Sequence, residues 1–246
     1  MLLALFLIDL AAGLYLFLPL VGRRNAGVKF YRLILITSGV LALCSWLADF
    51  SASGGTFRIR GLPAIALTLI VYGTLRYPKR LIFRIPAALL GIVYIILPVA
   101  AWHEATHAPI GWSIAGALSS VALLGSVNLA MLLGHWYLVV RGMAIDPLKR
   151  LTMATLAATI VKIAVVAIAI VAGGAWYEVA VRQGIFFWMH AGWGLLGPLL
   201  LYPMVWGTVK IRSTMAATGI LYVDVVAVVI GEVLGAWLSA TVHLPM

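Results

Sequence analysis

The sequence predicts an all-α polytopic membrane protein of about eight transmembrane helices, and three observations carry that expectation. Hydrophobic residues make up 64% of the 246 positions and charged residues only 10%, a balance far from that of soluble globular domains. Apolar runs of about 20 residues, the length a helix needs to cross a bilayer, recur along the chain. The runs are continuous rather than alternating, which argues against a membrane β-barrel.

The spans follow in order. Leu2 to Leu20 is the first; no basic segment precedes it and Arg23-Arg24 follow it, so it reads as a retained helix rather than a signal peptide. Leu33 to Phe50 comes next and holds the single cysteine, Cys44, which rules out a disulfide within the chain. Gly61 to Leu75, Ile85 to Trp102, Trp112 to Val140 and Leu151 to Gly174 continue the series. In Gly184 to Val209, the pair Gly197-Pro198 and Pro203 predict a bent or opened helix. Thr214 to Ala240 is the last span and carries Asp224 and Glu232.

Basic residues set the expected orientation. Arg23, Arg24, Lys29, Arg32, Arg76, Lys79, Arg80, Arg84, Arg141, Lys149, Arg150, Lys210 and Arg212 fall on one side of this scheme, against Arg58, Arg60 and Arg182 on the other. That bias puts the first side in the cytoplasm and both termini outside it, in a cell inner (cytoplasmic) membrane. The formal charge of +10, clustered between spans, suits anionic lipid headgroups and not nucleic acid. Trp46, Trp102, Trp112, Trp176, Trp188, Trp193 and Trp237 lie towards the outer ends and Trp136 and Trp206 towards the inner ones, as aromatic belts do.

A faint internal repeat divides the chain at about residue 110. Val71-Tyr-Gly-Thr-Leu-Arg76 resembles Val205-Trp-Gly-Thr-Val-Lys210, and Gly91-Ile-Val-Tyr94 resembles Gly219-Ile-Leu-Tyr222. A period of four helices predicts two parallel four-helix bundles, residues 1–110 and 111–246, within one membrane domain.

Polar residues inside the spans are the candidate site. Counting about 1.5 Å per residue from the inner boundaries puts Asp9, Asn128, Lys162 and Asp224 near one level. An ionised group there costs about 3 kcal/mol unless paired or wetted, so Lys162 is expected to meet Asp224 or Asp9, with Asn128 nearby. His190 and Glu232 form a second layer nearer the outer face, and the six residues together read as a proton path. The plain alternatives are a structural ion pair and interfacial solvation of His190 and Glu232. His190 and His135 are the candidate haem ligands, although about 20 Å of height separates them and excludes their sharing one haem. His103-Glu104-Ala-Thr-His107 satisfies H-E-x-x-H, in which one helix face offers two zinc ligands and a glutamate that activates water; Pro109 follows at once.

Short loops leave no extramembrane domain and imply other subunits as partners. In topology alone the pattern is similar to the eight-helix membrane anchors of polysulfide-reductase and dimethyl-sulfoxide-reductase type, and no motif residue is carried over. The expectation is therefore a membrane subunit of an electron-transfer complex, binding quinone or haem b near the outer face beside a proton path. The alternatives are a proton-coupled small-molecule or ion transporter and an outer-face zinc metalloprotease resting on His103, Glu104 and His107.

Overall fold

The structure is a computed structural model, and it describes residues 1–52, 61–78, 80–140 and 142–246. Arg58, Arg60, Lys79 and Arg141, counted in the charge bias, lie outside the described residues. Every regular element among the described residues is helical: α1 (Leu2–Val21), α2 (Arg23–Ala52), α3 (Leu62–Thr74), α4 (Leu81–Thr106), α5 (Ile110–Val139), α6 (Asp146–Ala172), then α7 (Ile185–Met189) and α8 (Gly197–Lys210) in one broken span, and α9 (Thr214–Val242). Among the described residues, seven spans are long and apolar enough to cross a membrane, the seventh element of the sequence pattern being Ile185–Lys210 as a whole. The expected third span differs. With 13 residues, α3 is about 20 Å long, short of the roughly 30 Å hydrocarbon core.

Local sequence explains where these helices break. α4 stops at Thr106 because His107 takes a left-handed conformation, φ 52°, and Pro109 caps the next helix. Between α7 and α8, His190–Leu196 winds as a π-helix, with Gly197 N–H donating to the Gly192 carbonyl five residues back. Pro198 has no N–H with which to continue an α-ladder through this point, so the predicted opening of the span is realised as a wider turn.

Contacts fix the relative directions of the helices. α2 runs against α1: Ser45 Oγ donates to Ala4 O at 2.7 Å, Ser38 Oγ to Ala11 O at 2.9 Å and Tyr31 OH to Leu18 O at 3.2 Å. α3 runs against α2 in turn, with Gly61 beside Trp46, Thr68 beside Gly39 and Tyr72 under the Arg32 guanidinium at 5.9 Å. We call the end holding Met1, Trp46 and Thr106 the upper end, and the end holding Tyr31 and Arg32 the lower. α1 and α5 are parallel and central. α1 packs on α2, α4 and α5, while α5 packs on α6 and α9. The two cross at Gly13 and Gly125, where a Cβ on either residue would collide with the backbone of the other; small residues let membrane helices approach in this way.

The related hexapeptides occupy matching settings. Val71 and Val205 are each 1% exposed, and the next two turns repeat the same bonding: Thr74 Oγ1 reaches the carbonyls of Ile70 and Val71, and Thr208 Oγ1 those of Met204 and Val205.

Replacing Gly125 by Leu should force α1 and α5 apart and cost at least about 2 kcal/mol, read as a lower Tm or loss of folded protein from membranes. Gly219→Ala, where nothing lies within 4 Å of the added methyl, should leave Tm within a degree or two of wild type.

Candidate functional site

The candidate site is built around one cation that lipid cannot solvate. Lys162, on α6, is 0% exposed. Its ammonium donates to Ser120 Oγ of α5 at 2.7 Å and to Glu232 Oε2 of α9 at 3.3 Å. It also lies 5.5 Å from the ring centroid of Trp102 on α4, within cation–π range. The same indole closes a second link, because Trp102 Nε1–H donates to Asp9 Oδ2 of α1 at 2.8 Å. Five helices thus meet through four contacts on two side chains.

His190 completes the group from the π-helical stretch. It is 0% exposed, and its Nδ1 lies 2.7 Å from the Gly231 carbonyl. A carbonyl only accepts, so Nδ1 carries the proton and Nε2 presents a lone pair. The ring fits because Gly235 has no side chain: a Cβ there would lie 2.8 Å from His190 Cε1 and 3.0 Å from the Met246 carbonyl. Asp9 and His190 each lie within electrostatic reach of both Lys162 and Glu232. The upper side is closed by residues after α9. Met246 N–H donates to Ser239 Oγ at 2.9 Å, and His243 Nδ1–H to Thr106 O at 2.5 Å.

Hydrogen bonding in this cluster is incomplete. Asp9 Oδ1, Glu232 Oε1 and His190 Nε2 are buried without a partner. All three are atoms that accept. Buried acceptors of this kind cost free energy unless a proton or a water reaches them.

Several expected relationships differ from those observed. Lys162 pairs with Glu232 and not with Asp224 or Asp9. The reason is register. α6 begins at Asp146, one turn before the Arg150 boundary read from the sequence, so Lys162 lies about 24 Å into its helix, against about 27 Å for Glu232 and about 15 Å for Asp224 in α9. Asn128 does not join them; its Nδ2 donates to Leu124 O of its own helix at 2.8 Å. His190 and Glu232, placed by the sequence in a separate outer layer, belong to the Lys162 cluster. Asp224 is buried alone between α6, α8 and α9.

The histidine readings change as well. His135 is exposed on α5, with Tyr222 OH 3.4 Å from its Nδ1, and no hydrogen bond or ring contact among the described residues joins a second histidine to His190. The apolar cavity beside the broken span is lined by Ile163, Phe187, Ala191 and Leu195, and His190 is not among its lining residues. The H-E-x-x-H helix ends before its fifth residue. His103 Nδ1–H donates to Ala108 O at 2.9 Å, and His107, turned by its left-handed backbone, stacks towards His243 at 6.4 Å between ring centroids. No group of three His, Cys, Asp or Glu side chains among the described residues has the spacing to hold a metal. Glu104 instead lines an upper pocket with Asp49 and Met1.

Trp102 and Ser120 are site residues that the sequence did not single out. Trp102 was counted in the outer aromatic belt, yet it is 1% exposed. Ser120 sits in a Ser119-Ser120 pair within an apolar helix, the one signal that marked it. The fold and site together define a multi-pass helical membrane protein with a buried charged centre. Comparison with family models, curated proteins and solved structures gives no match.

Removing one partner of the central pair strands the other, so Lys162→Met and Glu232→Gln should each cost about 3–5 kcal/mol. The double variant should regain much of that loss, which a double-mutant cycle of unfolding in detergent will measure.

Proposed function

We propose that this chain is a proton-coupled membrane transporter whose working centre is the Lys162–Glu232–Asp9–His190 cluster. The observation that carries this reading is charge balance. One ammonium faces two carboxyl groups and a neutral imidazole in a setting closed to water. The cluster is therefore electroneutral only when it holds one further proton, and a net charge at membrane depth is expensive. Asp9 Oδ1, Glu232 Oε1 and His190 Nε2 are the three atoms free to receive that proton. Each loss or gain of it changes the charge felt by Lys162, and with it the preference of α6 for α9.

The topology proposed with this function has eight crossings, α3 included. It has two parallel four-helix halves, the basic lower end in the cytoplasm and both termini outside, in the inner (cytoplasmic) membrane. In its support, α3 runs against α2 over the interval from Trp46 to Arg32, and it packs between α2 and α4 as α8 packs between α6 and α9. The Val71 and Val205 hexapeptides support the halves through their shared bonding.

A second reading keeps the proton path but makes the chain a subunit of an electron-transfer complex with quinone near the upper end. The observation favouring it is an upper pocket between α1, α2 and α4, lined by Leu5, Ile8, Leu97 and Ala101 under Asp49 and Glu104, with Ile8 and Ala101 next in sequence to Asp9 and Trp102.

Infrared spectra of purified protein at neutral pH should show a protonated-carboxyl band that is lost or shifted in Asp9→Asn or Glu232→Gln. A spectrum unchanged in both variants overturns the proton-carrying centre. Flux then separates the two readings. Proton-coupled uptake by the isolated chain in liposomes, reduced at least tenfold by Glu232→Gln, supports transport. A copurifying redox-active quinone without such flux supports the subunit.

A further inference from the structure

Asp224 sits apart from the Lys162 centre, eight residues before Glu232 on α9 and so about 12 Å lower. It is 3% exposed, and its Oδ1 has no hydrogen-bond partner. It lines a small cavity with Thr152 and Thr155 of α6 and Pro198 and Tyr202 of the broken span. Among the described residues no lysine, arginine or histidine lines that cavity, and Tyr202 is its only other titratable side chain; the remaining wall is apolar, from Leu156, Val205 and Leu221.

Both threonine hydroxyls have committed their protons. Thr152 Oγ1–H donates to Leu148 O at 2.9 Å and Thr155 Oγ1–H to Leu151 O at 3.0 Å, so what they offer the cavity is oxygen lone pairs. Pro198 has no N–H and so adds no main-chain donor to the cavity. The cavity therefore gathers one carboxylate and neutral oxygens. Hard cations take oxygen ligands, and a single carboxylate balances a single positive charge. Broken membrane helices supply such oxygens to sodium ions in other transporters.

We infer that Asp224, Thr152, Thr155 and Tyr202 form a binding site for a dehydrated monovalent metal cation of sodium type, separate from the Lys162 centre. A proton competes for the same carboxylate. As a coupling site this deepens the transport reading, but binding itself does not depend on that reading.

Thermal unfolding of the purified protein, followed by tryptophan fluorescence in sodium chloride and in choline chloride at equal ionic strength, tests it. Sodium should raise Tm saturably in wild type and in Trp102→Phe, which alters only the upper centre. Asp224→Asn should abolish the shift, and Thr155→Val should raise the apparent Kd at least about tenfold. Acidification by one pH unit, within the range where the carboxyl titrates, should raise the wild-type Kd by up to about tenfold, since bound protons must first leave. The site is overturned if wild-type Tm is the same in sodium, lithium, potassium and choline, or if Asp224→Asn keeps the sodium shift. If Asp224→Asn does not fold, binding of radioactive sodium decides: weaker binding by Thr155→Val than by wild type supports the site, and equal binding overturns it.

Discussion

An ammonium group inside a hydrocarbon layer must find anionic and dipolar partners within the protein, and the position of Lys162 subjects most of this molecule to that demand. Glu232 supplies the counter-charge, Ser120 an oxygen and Trp102 a π-face; Trp102 in turn holds Asp9. Satisfying one cation therefore sets the mutual positions of α1, α4, α5, α6 and α9. The approach is possible only because Gly13 and Gly125 let α1 and α5 nearly touch. An apolar residue in place of the pair would pack at no greater cost, so stability alone gives no reason to keep a charge here.

Backbone irregularity serves the same centre. The π-helical stretch places His190 against the carbonyl of Gly231, and a second glycine crossing, Gly194 on Gly231, brings this stretch onto α9. The departure at His190–Leu196 thus carries a residue of the cluster, and Pro198 just after it lines the Asp224 cavity, whereas the kink at Gly27 in α2 and the π-helical turn Glu178–Arg182 lie elsewhere. The regular helices, by contrast, carry the lipid-facing surface, where large apolar side chains such as Leu69, Val171 and Leu200 are exposed.

Much of this architecture was legible in the sequence because the hydrophobic requirement of a bilayer is written residue by residue. The limits of α1, α5 and α9 fall within a few residues of the apolar runs. Depth was legible less well. Arg150 marks where charge ends, whereas α6 begins at Asp146, and one turn sufficed to assign Lys162 the wrong carboxylate. Trp102 was hidden for a different reason: tryptophan at a helix end suits the headgroup region equally well, and only the tertiary packing of α1 on α4 shows that its N–H is consumed by Asp9. The H-E-x-x-H match failed at the backbone, because five residues specify a helical face only while the helix lasts, and His107 has already left it.

The brevity of α3 bears on the surrounding lipid. A rod about 20 Å long, standing beside helices of 26 and 30 residues, leaves the acyl chains on that flank a shorter apolar wall than elsewhere. Bilayers respond to such a mismatch by thinning locally. In the eight-crossing topology proposed above, the annular shell would be lopsided, pinched on the α3 side, and a thin or short-chain membrane would accommodate it with less elastic distortion than a thick, sterol-rich one.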